Sequence, residues 1–329
     1  NGTWSSAAKN TNEITRVFMP QNYDFSMFFG KFSFRHHPTF LPKGNKTLVM
    51  CEKCSPSINF SINKLFSCMS LLLNLQDYER EAASKLDANA LEYYVGGADD
   101  EITIARNREA FSEISLLPRV LRGVSKRDLS ASLLTESFAM PIGIAPTAMQ
   151  RLAHDDGELA TARAAASMGV PMILSTTSTV AVEEVACVPG LSLWFQVYVY
   201  KDRLATKELA QRAVKAGCKA LVLTVDAPYL GKREREARMG FHLPPNLRLP
   251  NYERLGSTHV AGSEGESGLA RHFIQNIDPA LTWDDVTWLK EISGLPVIVK
   301  GILRADDALL AKQYGADGII VSNHGGRQL

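Results

Sequence analysis

The 329-residue sequence has little cysteine, no excess of either charge and no long apolar run. Five cysteines are too few for a disulfide scaffold and, being odd in number, cannot all pair within one chain, so a reducing compartment suits them best. Cys51 and Cys54 form one Cys-x-x-Cys with no second pair to complete a zinc site, and no metal is expected. With 36 Lys and Arg against 35 Asp and Glu, nothing points to a nucleic-acid or membrane-surface partner. The most apolar stretch, residues 65–75, is interrupted by Ser67, Ser70 and Asn74 and falls short of the ~20 residues of a membrane span. A GxGxxG after the first strand is also missing, which argues against a Rossmann fold.

The remainder is more informative. A hydrophobic share of 45% over this length can bury one core of barrel size. Residues 1–68 are rich in Asn, Ser, Phe and Lys and show no sustained period, so they are expected to be unstructured or extraneous, ahead of a domain over 69–329. Their sequons at Asn1, Asn45 and Asn59 fit chance in such a composition. From Asp77 onward the pattern is periodic. Tyr78, Ala82, Leu86, Ala90 and Tyr94 recur at helical spacing, predicting one helix over 76–95 that stops at Gly96-Gly97. Short apolar runs follow at 142–145, 172–174, 193–197, 220–225, 297–299 and 319–321. Amphipathic segments lie at 156–168, 202–216, 283–293 and 305–314, with Asp155 and Glu158, Asp202, and Thr282 and Asp285 as N-cap candidates. Such alternation predicts a parallel α/β fold.

Where the polar residues fall separates a barrel from an open sheet. The runs end in Pro146-Thr147, Ser175, Gln196 and Tyr198, Thr224, Lys300, then Ser322 and His324. In a (β/α)8 barrel all strand C-termini face one rim, so these groups would share one site. The last of them stands out: Ser322-Asn323-His324-Gly325-Gly326-Arg327-Gln328 places an imidazole and a guanidinium on one glycine turn. A base and a bidentate carboxylate clamp at one mouth would suit an acid substrate. Lys300 taken alone also fits a Schiff-base barrel aldolase.

That heptapeptide resembles the active-site signature of the FMN-dependent 2-hydroxy-acid oxidases and dehydrogenases. The resemblance extends through Lys300-Gly301, Leu223-Thr224-Val225-Asp226, Phe195-Gln196-Val197-Tyr198, Pro146-Thr147-Ala148-Met149-Gln150 and Tyr93-Tyr94, over roughly residues 70–329. It implies a (β/α)8 TIM barrel that binds FMN and oxidises an (S)-2-hydroxy acid to a 2-oxo acid, with O2 reduced to H2O2. It implies that Pro146, Thr147 and Ala148 back the flavin ring, that Ser175, Gln196 and Thr224 bond its polar edge, that Lys300 is the cation beside it and that Ser322 meets the ribityl chain. On the substrate side it implies Arg233, Arg327 and Tyr93 on the carboxylate, Tyr198 on the hydroxyl oxygen and His324 as the base. Arg233 also reads as one more solvated charge in Lys232-Arg233-Glu234-Arg235. Homo-oligomers and peroxisomal residence are typical of the family; no nucleic acid, membrane or fused haem domain is implied.

Two departures bear on the expectation. Thr177 stands where an aromatic is common in glycolate-selective members, so a roomier pocket favouring longer acids is expected. Six of eight barrel strands are legible, without the segments that hold the FMN phosphate in the family. The sheet edges at 142–145 and 319–321 are therefore expected to be unpaired and the chain, as it stands, inactive or non-catalytic. Met69 falls where family members begin.

Overall fold

The computed structural model describes the backbone of Thr15–Phe18 and residues 72–255, 260–261 and 267–328. The sequons, Cys51, Cys54 and Met69 lie outside the described residues.

One parallel sheet organises the chain. Its strands run in the order β1 (Thr15–Phe18), β8 (Gly318–Val321), β7 (Val297–Ile302), β6 (Leu221–Thr224), β5 (Leu193–Val197) and β4 (Met172–Leu174). From β4 to β8 each strand pairs with the next in sequence, as successive βα units of a barrel do. The helices between them are α4 (Gly157–Met168), α5 (Val182–Ala186), α6 (Arg203–Ala216), α9 (Asp284–Ser293) and α10 (Ala305–Gln313). An excursion after β6 carries α7 (Glu234–Met239) and α8 (Gly268–Asn276). Ahead of the sheet come α1 (Leu75–Ala83), α2 (Ala88–Val95), α3 (Ile102–Ser112) and an antiparallel hairpin, β2 (Ala131–Leu133) with β3 (Glu136–Phe138).

Side chains alternate along each strand, and the two faces bury different cores. Leu174, Phe195, Leu221, Leu223, Val297, Val299 and Ile319 pack toward the helices. Ile173, Trp194, Val222, Ile298 and Ile320 form the opposite row, against Phe138 of the hairpin. Both faces are dry, which is why the strands read as continuous apolar runs.

Several expected elements take a different form. The helix expected over 76–95 is two helices, because the Asp87 carboxylate caps a fresh start by accepting from the Ala90 backbone N–H at 2.9 Å. The 142–145 run makes only an isolated parallel bridge, Ile144 to Met172. Pro146, which has no N–H to donate, limits the ladder there. The edge expected to be bare at β8 is paired in parallel with β1, Thr15 opposite Gly318 through Phe18 opposite Val321. Asp202 caps α6 as expected, and Asp285 Oδ2 accepts from the Thr282 N–H at 2.7 Å.

Glu158 does not cap its helix but is fully buried beneath two rim loops. Its Oε1 accepts from the Gln150 N–H at 3.0 Å and the Thr179 N–H at 2.8 Å, and its Oε2 from the Thr179 hydroxyl at 2.7 Å. One carboxylate thereby sets the spacing of the loops that follow the first two apolar runs. Replacing Glu158 by Leu leaves two backbone donors unpaired, each costing about 1–3 kcal/mol, so urea unfolding should show a loss of several kcal/mol. Glu158→Gln should lose far less, since the Thr179 hydroxyl can turn to accept.

Candidate active site

The polar rim follows from strand register. Ser175, Gln196, Thr224, Lys300 and Ser322 each lie two residues beyond Ile173, Trp194, Val222, Ile298 and Ile320, so all five continue the inner row toward the strand C-termini. Thr224 pairs with Lys300, and Lys300 with Ile320, across the ladder. Ser175, Gln196, Thr224, Lys300 and Ser322 are buried, as is Thr147, while Pro146 and Ala148 are half-buried at the first loop. The five strand-end residues expected to meet the cofactor thus share one row of the sheet.

Much of that surface is bonded to itself. Lys300 Nζ donates to Ser322 Oγ at 3.2 Å, and Gln196 Oε1 accepts from the Thr176 N–H at 3.1 Å and from the Ser175 hydroxyl at 3.4 Å. Three buried atoms, Thr147 Oγ1 at the first loop and Gln196 Nε2 and Thr224 Oγ1 in the row, have no partner among the described residues. Buried polar atoms left unpaired are costly, and a line of hydroxyls and an amide beside a fixed ammonium suits the alternating donors and acceptors of an isoalloxazine edge. The residues present therefore fit a flavin.

His324 sits on the turn that leaves β8. Its Nδ1 is 2.7 Å from Asp226 Oδ1, and its backbone N–H donates to Ser322 Oγ at 3.0 Å. Burial pushes the imidazole down to about 4, and the Lys300 ammonium adds to this, while the Asp226 carboxylate opposes it. Burial alone would raise Asp226, but His324 and then Lys300 hold it below the usual carboxylate range. A neutral imidazole beside an ionised carboxylate carries its proton on Nδ1, which leaves the Nε2 lone pair to act as a base. Gly301 lets Asp226 come this close: its φ is +116°, and a Cβ there would lie 2.7 Å from Asp226 Cβ.

The two guanidiniums meet on one buried carboxylate. Glu236 Oε1 accepts from Arg233 Nη1 at 3.1 Å and from Arg327 Nη2 at 3.0 Å, while its Oε2 accepts from the Ser267 hydroxyl at 3.1 Å. Arg327 Nη1 also donates to the carbonyls of Tyr93, at 2.6 Å, and Gly96, at 2.7 Å, and Arg233 Nε to the Arg327 carbonyl at 3.3 Å. The solvated-charge reading of Arg233 is thereby overturned: its side chain is 8% exposed against 72% for Lys232 next to it. Tyr93 stacks on Phe241 with centroids 4.8 Å apart and lies under the Arg327 guanidinium at 5.0 Å. Tyr198 is buried edge-on to Phe273, and burial, with the nearby Asp226 charge, raises its phenol well above the ordinary value, so it keeps its proton.

Thr177 lies beside an aromatic side chain. Its hydroxyl lies 2.8 Å from that of Tyr252, and both side chains are buried. Tyr252 packs in turn against Tyr200 and His272. Asp226 and Glu236 were not singled out from the sequence as site residues. Asp226 sits two positions past Thr224, on the parity that already places Thr224 at the rim, whereas Glu236 is hidden among charged neighbours of α7.

Comparison with known proteins shows the family. Residues 82–329 match the model of the FMN-dependent dehydrogenase family. The chain is 52% identical over 268 residues to L-lactate oxidase of Nostoc sp., covering 80% of this chain and 73% of that protein. It is 48% identical over 261 residues to 2-hydroxyacid oxidase 1 of Homo sapiens, covering 78% of this chain and 70% of the relative. Among solved structures, mandelate oxidase with (S)-4-hydroxymandelic acid superposes with a TM-score of 0.75 at 40% identity, over 78% of this chain and 72% of that one. The chain belongs to the FMN-dependent dehydrogenase family, as an oxidase of the 2-hydroxy-acid type with FMN as its cofactor.

Proposed function

We propose that the protein oxidises a small (S)-2-hydroxy acid to the 2-oxo acid and passes the electrons to O2, forming H2O2. The observation that carries this reading is the Asp226–His324 pair lying between a flavin-fitting row of strand ends and the arginine pair on Glu236. The alcohol carbon loses two electrons and the substrate two protons, and O2 takes up two of each. FMN, when bound, supplies the two-electron acceptor between them. Peroxisomal residence and homo-oligomers are part of the same proposal, by resemblance.

Each residue has a role in that reading. Arg327 and Arg233 receive the carboxylate, with their planes set by Glu236 and by the Tyr93 and Gly96 carbonyls. Tyr93 stays fixed beneath Arg327, within reach of the same carboxylate. Tyr198, protonated and buried, donates to the substrate hydroxyl oxygen. His324 Nε2 takes a proton from the substrate, and Asp226 stabilises the imidazolium that results. Lys300, held by Ser322, keeps a positive charge beside the cofactor row. A Schiff-base role for Lys300 draws no support from the family to which the chain belongs.

His324→Ala should abolish anaerobic bleaching of the flavin band by a hydroxy acid while FMN stays bound, because the base meets substrate rather than cofactor. Normal single-turnover bleaching in that variant would sink the assignment. Arg327→Lys should raise KM and lower kcat together, since an ammonium cannot reproduce the two parallel bonds of a guanidinium. The base acts only when neutral, so kcat/KM should be flat across neutral pH and fall as pH drops through about 4. An acid limb centred on the ordinary histidine value of about 6.5 would show that burial does not control the imidazole.

A further inference from the structure

His324 is held in a backbone conformation that an L-residue resists. Its φ is +58°, followed by +68° at Gly325 and +75° at Gly326, giving three left-handed residues in succession. Glycine adopts this freely and histidine only at a cost, so neighbouring contacts must hold the turn. Ser322 Oγ accepts the His324 N–H at 3.0 Å, and the Ala98 N–H donates to the Gly326 carbonyl at 3.0 Å. Asn323 adds a further anchor: its Oδ1 accepts the Gly326 N–H at 3.2 Å, beside the bond that the same N–H makes to the Asn323 carbonyl at 3.1 Å, and so braces the turn from inside.

That brace works only if the Asn323 amide presents its oxygen, and the group that orients it comes from far away in sequence. Asn107, on α3, accepts from Asn323 Nδ2 at 2.6 Å through its own Oδ1 and donates its Nδ2 to Asn323 Oδ1 at 3.3 Å. The two amides read each other reciprocally, and rotation of either would set like atoms together. α3 is also pressed against the turn, since a Cβ on Gly326 would lie 2.8 Å from the Ile104 backbone nitrogen. No residue of α3 is buried, so removing the Asn107 side chain opens no hole in the core.

We propose that Asn107 is a positioning residue for the base: through Asn323 it keeps His324 in its strained turn, with Nδ1 on Asp226 and Nε2 toward the substrate. The inference rests on His324 being the base. Asn107 touches neither the imidazole nor Asp226, Lys300 or Arg233, the charged groups that face it. Without the Asn107 amide, the Asn323 side chain can turn to water, the Gly326 N–H keeps only its backbone bond to the Asn323 carbonyl, and the loosened turn lets the imidazole shift. A displacement of about 1 Å in a reacting group can cost up to about 100-fold in rate.

The test uses FMN-loaded protein mixed anaerobically with L-lactate, comparing Asn107→Leu, Asn107→Asp and His324→Ala. Asn107→Leu should lower the limiting rate of flavin bleaching about 10- to 100-fold, with half-saturation moved by less than about threefold. Asn107→Asp, which can still accept from Asn323 Nδ2, should fall between it and the parent. A second readout needs no flavin: the imidazole titration followed by nitrogen-15 NMR should move up from about 4 in Asn107→Leu as the half-buried His324 moves toward water. An unchanged limiting rate, a loss that only tracks released FMN, or an unmoved titration would overturn the inference. Normal bleaching by His324→Ala would instead remove its premise, the base itself.

Discussion

The two-residue period of a parallel sheet is the constraint on which the rest of the molecule depends. Once Ile173, Trp194, Val222, Ile298 and Ile320 are committed to the inner row, the residue two places on in each strand must face the same way. Ser175, Gln196, Thr224, Lys300 and Ser322 occupy those places, so apolar packing below and polar chemistry above are one decision. A one-residue slip in any strand would turn its site residue toward the helices and an apolar side chain toward the cofactor. Register also explains why residues spread from 147 to 322 share a surface without any local motif holding them together.

A rim of this kind concentrates charge in a dry place, and the structure answers by pairing it. Lys300, Arg233 and Arg327 bring three positive charges, against which Asp226 and Glu236 set two negative ones, with His324 neutral. One positive charge is left over. Glu236 holds both guanidiniums, so losing it would leave two buried cations facing each other. Asp226 stays ionised although burial opposes that, because His324 and Lys300 lie beside it, and this in turn fixes which histidine nitrogen carries the proton.

Loops supply the remaining precision. The segments after the first two apolar runs hang from Glu158, and the turn after the last run hangs from Asn323 and Asn107. Neither device belongs to the reaction itself. Each sets a polar group at the end of a strand whose own hydrogen bonds have stopped, where backbone groups would otherwise wander.

Sequence alone determined the α/β class, the succession of strands from β4 to β8 and the polar residues at their ends, because apolar runs and their C-terminal polar residues are local patterns with a definite period; the pairing of β1 with β8 had no such signal. It also singled out His324 and Arg327, which share one short glycine turn. Contacts across tens or hundreds of residues were decided only by the tertiary structure. Asp226 meets His324 over 98 positions, Glu236 meets Arg327 over 91 and Asn107 meets Asn323 over 216. No local pattern marks such partners, since a carboxylate in a charged run looks the same whether it faces water or two buried arginines. The break between α1 and α2, the single bridge at Ile144 and the hydroxyl pair of Thr177 and Tyr252 have the same origin. In each, a side chain or a missing N–H met a neighbour that periodicity does not name.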